Sequence, residues 1–202
     1  MERARDFSEA TLKVENAFRD ISWELLERQI DYDYVDEMLI QEGEVKNGCL
    51  CYKDREYKSV VLPAVKILNR KTMEKLEQLL DSGIGVIFAG EMPSLERETG
   101  NPCDFPVNMM KYRGNPHFYY SEETTLPGMS KIPALVREML LVPDSLEYVL
   151  TGAEGTGKIV DGEIISGSIL SHMRVEGRKR ILFLTNMGCK NYKGKVIMRS
   201  VN

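Results

Sequence analysis

Ser59-Val-Val-Leu-Pro63 and Ile84-Gly-Val-Ile-Phe-Ala89 are two short, almost wholly apolar runs, and the stretch between them decides the fold. From Thr72 to Leu80, Met73, Leu76, Leu79 and Leu80 recur at three- and four-residue steps, the period of one helix face. Gly83 stands where a helix-ending glycine belongs. Apolar run, helix, apolar run over about 30 residues is a βαβ unit, whose parallel strands are joined by a right-handed crossover. A parallel strand covered by helices on both faces has no polar side. The spacing therefore predicts Val60, Val61 and Leu62 beside Val86, Ile87 and Phe88 on neighbouring parallel strands. The fold class is α/β.

Upstream, residues 6 to 30 read as one long helix. Asp6 and Glu9 fit a capping box. Phe7, Ala10, Val14, Ala17, Phe18, Ile21, Leu25 and Leu26 form an apolar stripe bordered by Trp23, which makes this helix a candidate cover for the same sheet. Asp31-Tyr-Asp-Tyr-Val35 is β-prone, and Asp36 to Ile40 suits one helical turn. Asn47-Gly48 predicts a hairpin with Val45-Lys46 and Cys49 to Tyr52 as arms. Lys53 to Glu56 reads as a polar turn.

Downstream, residues 91 to 129 read as irregular, with Pro93, Pro102, Pro106, Pro116 and Pro127. So long a stretch is a functional or a disordered loop. Ser130 to Leu141 resumes a helix with Ile132, Leu135, Val136, Met139 and Leu140 on its apolar side. After Thr151 the pattern turns strand-like: Glu163 to Ile165, Ser168 to Arg174, Arg180 to Thr185 and Lys195 to Arg199, with turns at Glu176-Gly177 and Met187-Gly188. A boundary near residue 150 follows, with an α/β domain over 1–150 and a short antiparallel β segment over 151–202. The segment falls short of the ~100 residues of a β-sandwich, so it is truncated or completed by packing on the first domain.

The 202 residues are 43% hydrophobic and 29% charged, which excludes collagen-like and largely disordered chains. A net charge of -4 argues against a nucleic-acid binder, because affinity for phosphate backbones rests on cationic neutralisation. No apolar run reaches the ~20 residues of a membrane span. The charged N-terminus is unlike a signal peptide, so a cytoplasmic location is expected. Four cysteines are too few for a disulfide scaffold. Cys49 and Cys51 would share one strand face, and their expected role is packing. His117 and His172 lie too far away in sequence to complete a metal set, so no metal is expected.

Gly152-Ala-Glu-Gly-Thr-Gly-Lys158 matches part of a phosphate-binding loop. Ile159 follows where a Ser or Thr would hold magnesium, and no helix pattern comes next. The expected role is an interdomain glycine linker, and no cofactor is called for. Asp31 and Asp33 would face one way in a strand, as a carboxylate pair for acid–base work. The plainer reading has Asp33 capping the turn that starts at Tyr34, aided by Asp36. His117 and Tyr119 sit in Asn115-Pro-His-Phe-Tyr-Tyr120, either a sugar-stacking aromatic wall or a half-buried loop anchor. Glu91 follows the second apolar run, at the strand end where α/β sites gather. The candidate ligand-contacting residues are thus Asp31, Asp33, Glu91, His117 and Tyr119, and no catalytic residue is assigned.

The segments in this order resemble the C-terminal half of large α-L-rhamnosidase-like glycoside hydrolases. The matching residues are Gln29-Ile-Asp-Tyr-Asp-Tyr-Val35, Gly48-Cys-Leu50, Tyr57 to Pro63, Thr72 to Leu76, Gly83 to Gly90, Pro93, His172-Met-Arg174 and Leu182 to Asn186. Similar α/β modules also accompany β-galactosidase-like enzymes. The resemblance implies a glutamine-amidotransferase-like or flavodoxin-like module that has lost its own chemistry. In such enzymes the catalytic carboxylates sit in an upstream barrel, absent from this chain. It further implies a structural or carbohydrate-contacting role, with carbohydrate or the missing catalytic domain as partner. The alternatives are a small stand-alone enzyme with its site at the carboxyl edge of the sheet near Glu91, and a homo-oligomerisation module.

Overall fold

The computed structural model describes residues 9–27, 30–122, 131–140, 146–152, 155–158, 169–176, 179–186 and 193–198. The chain divides into two compact units, Met1–Ile21 with Tyr34–Leu140, and Ser22–Asp33 with Leu141–Asn202. Helix α1 is Glu9–Glu27. It buries only Ala17, Ile21 and Leu25, one residue per turn, while Val14 and Phe18 are exposed. The observed stripe is narrower than the sequence pattern predicts. The capping box of residues 6–8 lies outside the described residues.

The first unit then runs α2 Glu37–Glu42, β1 Glu44–Lys46, β2 Cys49–Tyr52, β3 Arg55–Tyr57, β4 Ser59–Pro63, β5 Ile67–Leu68, α3 Arg70–Asp81 and β6 Gly85–Ala89. After these come β7 Leu95–Glu96, α4 Phe105–Met109, a 3-10 turn over Met110–Tyr112, β8 Phe118–Ser121 and α5 Ile132–Leu140. Strands β4, β6 and β8 form a parallel sheet in that order. The register sets Val60 against Val86, Val61 against Ile87 and Leu62 against Phe88, as the two apolar runs predict.

Every residue of β6 is buried. Val86 and Phe88 join Val60 and Leu62 in one cluster with Met73, Leu76, Leu79 and Leu80 of α3, and Phe105, Met109 and Tyr112 close it. The two-residue period of a strand sends Ile87 and Ala89 to the other face. Both are buried there, where α5 packs against β6 and β4 and buries Ile132 and Val136. The helices on this sheet are α3 and α5, so the cover expected from the N-terminal helix comes from a later one. Strand β4 alternates instead, with Val60 and Leu62 buried and Val61 half-buried. As an edge of the sheet it is covered less completely than β6.

Two turns depend on left-handed backbone. Asn47 at φ 53° and Gly48 at φ 69° make a primed two-residue turn that sets Lys46 opposite Cys49. Gly83, at φ 74°, ends α3, and the Ile84 amide then returns to the Leu79 carbonyl at 2.9 Å.

Three local readings are corrected. Asp31 to Val35 is coil rather than strand. Residues 53 to 56 are not all turn, because Arg55 opposite Tyr52 opens β3. The proline-rich stretch from 91 is not irregular throughout, since it holds β7, α4 and β8. Short elements punctuated by proline leave no periodic signal, and β8 has only four residues.

The second unit contains β9 Leu146–Gly152, β10 Gly155–Lys158, β11 Ile169–Glu176, β12 Lys179–Asn186 and β13 Lys193–Met198. All pair antiparallel, as β10-β9-β13 and as β11-β12. The glycine-rich stretch is not an interdomain linker. Gly152 opposes Gly155 in a tight hairpin, and Lys158 pairs with Val149 as strand. Glu163 to Ile165 and Met187-Gly188 lie outside the described residues.

Replacing Phe88 by Ala should cost roughly 3–5 kcal/mol, as lost transfer energy plus a cavity. Lys71→Ala, on the exposed side of α3, should change stability by less than about 0.5 kcal/mol. Chemical denaturation of both variants checks this. Equal small effects would mean that 85–89 is not a central strand.

Candidate functional site

Parallel strands end together, so the loops after β4, β6 and β8 meet at one edge of the sheet. The ladder continues just past the strands there. The Ala64 amide donates to the Ala89 carbonyl, and the Gly90 amide to the Ser121 carbonyl, each at 2.7 Å. Both residues have positive φ, 46° at Ala64 and 103° at Gly90, which turns the chain sharply out of the sheet. Glu91 is thereby carried to the surface, where Lys66 Nζ lies 3.7 Å from its Oε1. The Tyr120 hydroxyl donates to Glu122 Oε1 at 3.0 Å. Burial, that hydrogen bond and the charges of Glu122 and Glu91 push the phenol up to about 12. Tyr120 therefore stays protonated at ordinary pH and serves as a donor. The edge thus holds a cation beside a carboxylate and a phenol on a carboxylate, each polar group meeting another from the same chain.

The N-terminus of α3 opens next to this edge. A helix start at such a place is a ready anion site, since its first amides lack intrahelical partners. Asn69, its N-cap residue, supplies no side-chain cap. Two carboxylates from distant segments take the amides instead. Glu37 Oε2 accepts from the Asn69 amide at 2.7 Å and from the Thr72 hydroxyl at 2.6 Å. Both oxygens of Glu98 lie 3.1 Å from the Arg70 amide. Arg97 Nη1 donates to Glu37 Oε1 at 3.1 Å, and Gln41 Nε2 donates to Thr72 Oγ1 at 2.8 Å. Burial acts to raise the Glu37 carboxyl, but the hydrogen bonds from Thr72, Asn69 and Arg97 outweigh it and hold the group below its ordinary value.

The sequence-derived candidates do not converge. Asp31 and Asp33 are exposed on coil, so the shared strand face proposed for them does not exist. The cap of α2 is Asp36, whose Oδ1 accepts from the Leu39 amide at 2.9 Å, in place of Asp33 at Tyr34. Glu91 sits at the carboxyl edge, as its position predicts. His117 directly precedes β8, at the opposite edge, where its carbonyl accepts from the Val86 amide at 2.8 Å. Four strand residues at ~3.3 Å each put about 13 Å between the levels of His117 and Ser121. Tyr119 lies mid-strand and half-buried, in register with Ile87. The aromatic run does not stand clear as a wall, because Phe118 tilts against Phe88 at 6.1 Å and Tyr112 at 6.4 Å. Cys49 is buried in β2, and burial is the main influence raising its thiol. Lys66, Tyr120, Glu122, Glu37 and Glu98 escaped the sequence reading. Only the capping residue Asp36, just before Glu37, gave a local signal.

Among the described residues no group of His, Cys, Asp and Glu could hold a metal ion, and no helix is long and apolar enough to cross a membrane.

No protein-family model and no curated relative matches the chain. Its fold is similar to part of a solved structure, the apo exo-carrageenase GH42 from Bacteroides ovatus. The TM-score is 0.54 at 13% identity, over 91% of this chain. The chain spans 25% of the length of that protein. At this identity the likeness is one of fold.

Glu37→Gln should destabilise the protein by about 1–3 kcal/mol at neutral pH, because an amide cannot accept from all three donors. The folded carboxyl is depressed, so its contribution is full above the unfolded value near 4.3 and is lost as pH falls through the folded value. The gap between wild type and variant should stay level from pH 7 to about 5 and shrink below it. Denaturant titrations across that range check the sign, and a gap that widens on acidification would contradict it.

Proposed function

We propose that the chain is a non-catalytic module of a carbohydrate-cleaving enzyme, contacting carbohydrate or the catalytic domain of that enzyme. The fold likeness carries this reading, since nearly the whole chain aligns with a quarter of an exo-carrageenase. The carboxyl edge is consistent with it. A glycosidase needs one carboxylic acid and one carboxylate flanking the bond, with room for sugar between them. Here Glu91 faces Lys66, Glu122 takes the Tyr120 hydroxyl, and the α3 N-terminus is filled by Glu37 and Glu98. These groups brace loops against one another.

The surface suited to a sugar lies elsewhere. Phe18 and Tyr34 stack at 4.8 Å with 25° between their planes, and Tyr34 remains 63% exposed. Met38, one helical turn beyond Tyr34, is 55% exposed. A half-exposed ring backed by another ring offers a fixed flat face to the C–H side of a pyranose, at little cost in side-chain entropy.

The chain should show no turnover of aryl rhamnosides or aryl galactosides above a heat-killed control. Turnover abolished by Glu91→Ala would overturn the non-catalytic reading in favour of a stand-alone enzyme. Neutral oligosaccharides should broaden Tyr ring signals in NMR titration, and Tyr34→Ala should weaken binding at least tenfold. Binding unchanged in that variant would remove Tyr34 from the contact.

A further inference from the structure

The hairpin of β11 and β12 is a two-stranded ribbon among the described residues. It runs for eight paired residues, from Ile169 opposite Asn186 to Glu176 opposite Lys179, without a bulge. Ile181 is 39% exposed, Phe183 53% and Leu184 44%. Neighbouring side chains on a strand point to opposite faces, so Phe183 and Leu184 leave apolar surface on both faces of β12. An isolated ribbon of two strands is marginal in water. Proteins blunt such edges with proline, bulges or central charge, and Ile181-Leu-Phe-Leu-Thr185 contains none of these.

We propose that β12 pairs with β12 of a second copy of this chain, antiparallel about a two-fold axis at Phe183. The charge pattern selects this occupant. Lys179 and Arg180 are the charges of β12, and both lie at its start. An antiparallel pair about Phe183 sets Leu182 opposite Leu184 of the other copy, Ile181 opposite Thr185, and Arg180 opposite Asn186. No like charges meet. A parallel pair would lay each cation beside its own copy, which is unfavourable. The axis brings the two Phe183 rings together, an aromatic cross-strand pair of the kind that strengthens sheets. The two ribbons become one four-stranded sheet, and the exposed apolar side chains gain cross-strand neighbours.

The test is sedimentation equilibrium of the full chain, with Phe183→Lys and Val107→Lys as variants. Val107 is 72% exposed in the first unit and serves as the control. The expected result is a wild-type dimer that Val107→Lys preserves and Phe183→Lys weakens at least tenfold, with unchanged circular dichroism. A monomeric wild type, or a dimer indifferent to Phe183→Lys, overturns the proposal. If Phe183→Lys fails to fold, Phe183→Cys decides. Opposed Cβ atoms ~4.5–5.5 Å apart approach the span of a disulfide, so mild oxidation should cross-link the two copies at this residue. A cross-linked yield no higher than that of wild type overturns the register.

Discussion

The first unit depends on one constraint: β6 must be covered on both faces at once. Gly85 to Ala89 has no polar side chain, so neither face of the strand can meet water without loss. One face draws in α3 and the turn that carries Phe105, Met109 and Tyr112. The other draws in α5. Strands β4 and β8 then have only the edge positions, and their partial burial follows. A parallel strand also needs a crossover, which fixes α3 between β4 and β6 and brings its N-terminus to the carboxyl edge.

That placement raises a second problem, and its solution shapes the function. Unpartnered amides at a helix start favour an anion, and many α/β proteins put a phosphate there. This chain uses Glu37 from α2 and Glu98 from the turn after β7. Each carboxylate ties a distant segment to α3, and Arg97 and Gln41 tie the segments to one another. A place that could receive a ligand is instead part of the frame. The same holds for Glu91 and Glu122, which meet Lys66 and Tyr120. An edge so bound up internally fits a module whose contacts are made by other surfaces, such as the Phe18–Tyr34 pair.

What the sequence revealed follows from the range of the signal. The βαβ unit was legible because runs of four or five apolar residues and a helical period are both local. The Asn47-Gly48 hairpin was legible because its turn chemistry lies in two adjacent residues. The third strand was not, since Phe118 to Ser121 is short, aromatic and flanked by proline, and it earns its place only by pairing with β6. The reading of Asp31 and Asp33 as a pair assumed a strand that the chain does not form. Glu37 and Glu98 lie 61 residues apart in number and meet only at the two amides that begin α3. No spacing rule reaches that far. The apolar stripe of α1 was visible, but its pattern could not say how much of it is covered.

The order of burial implies an order of local stability, and amide hydrogen exchange under native conditions reads it directly. Within the first unit, the amides of Val86 to Gly90 should exchange most slowly, opening only with global unfolding. Those of β8 should open more readily, as an edge strand with half-buried side chains. Exchange at Val86 to Gly90 as fast as at Phe118 to Ser121 would contradict the claim that a doubly covered central strand organises this unit.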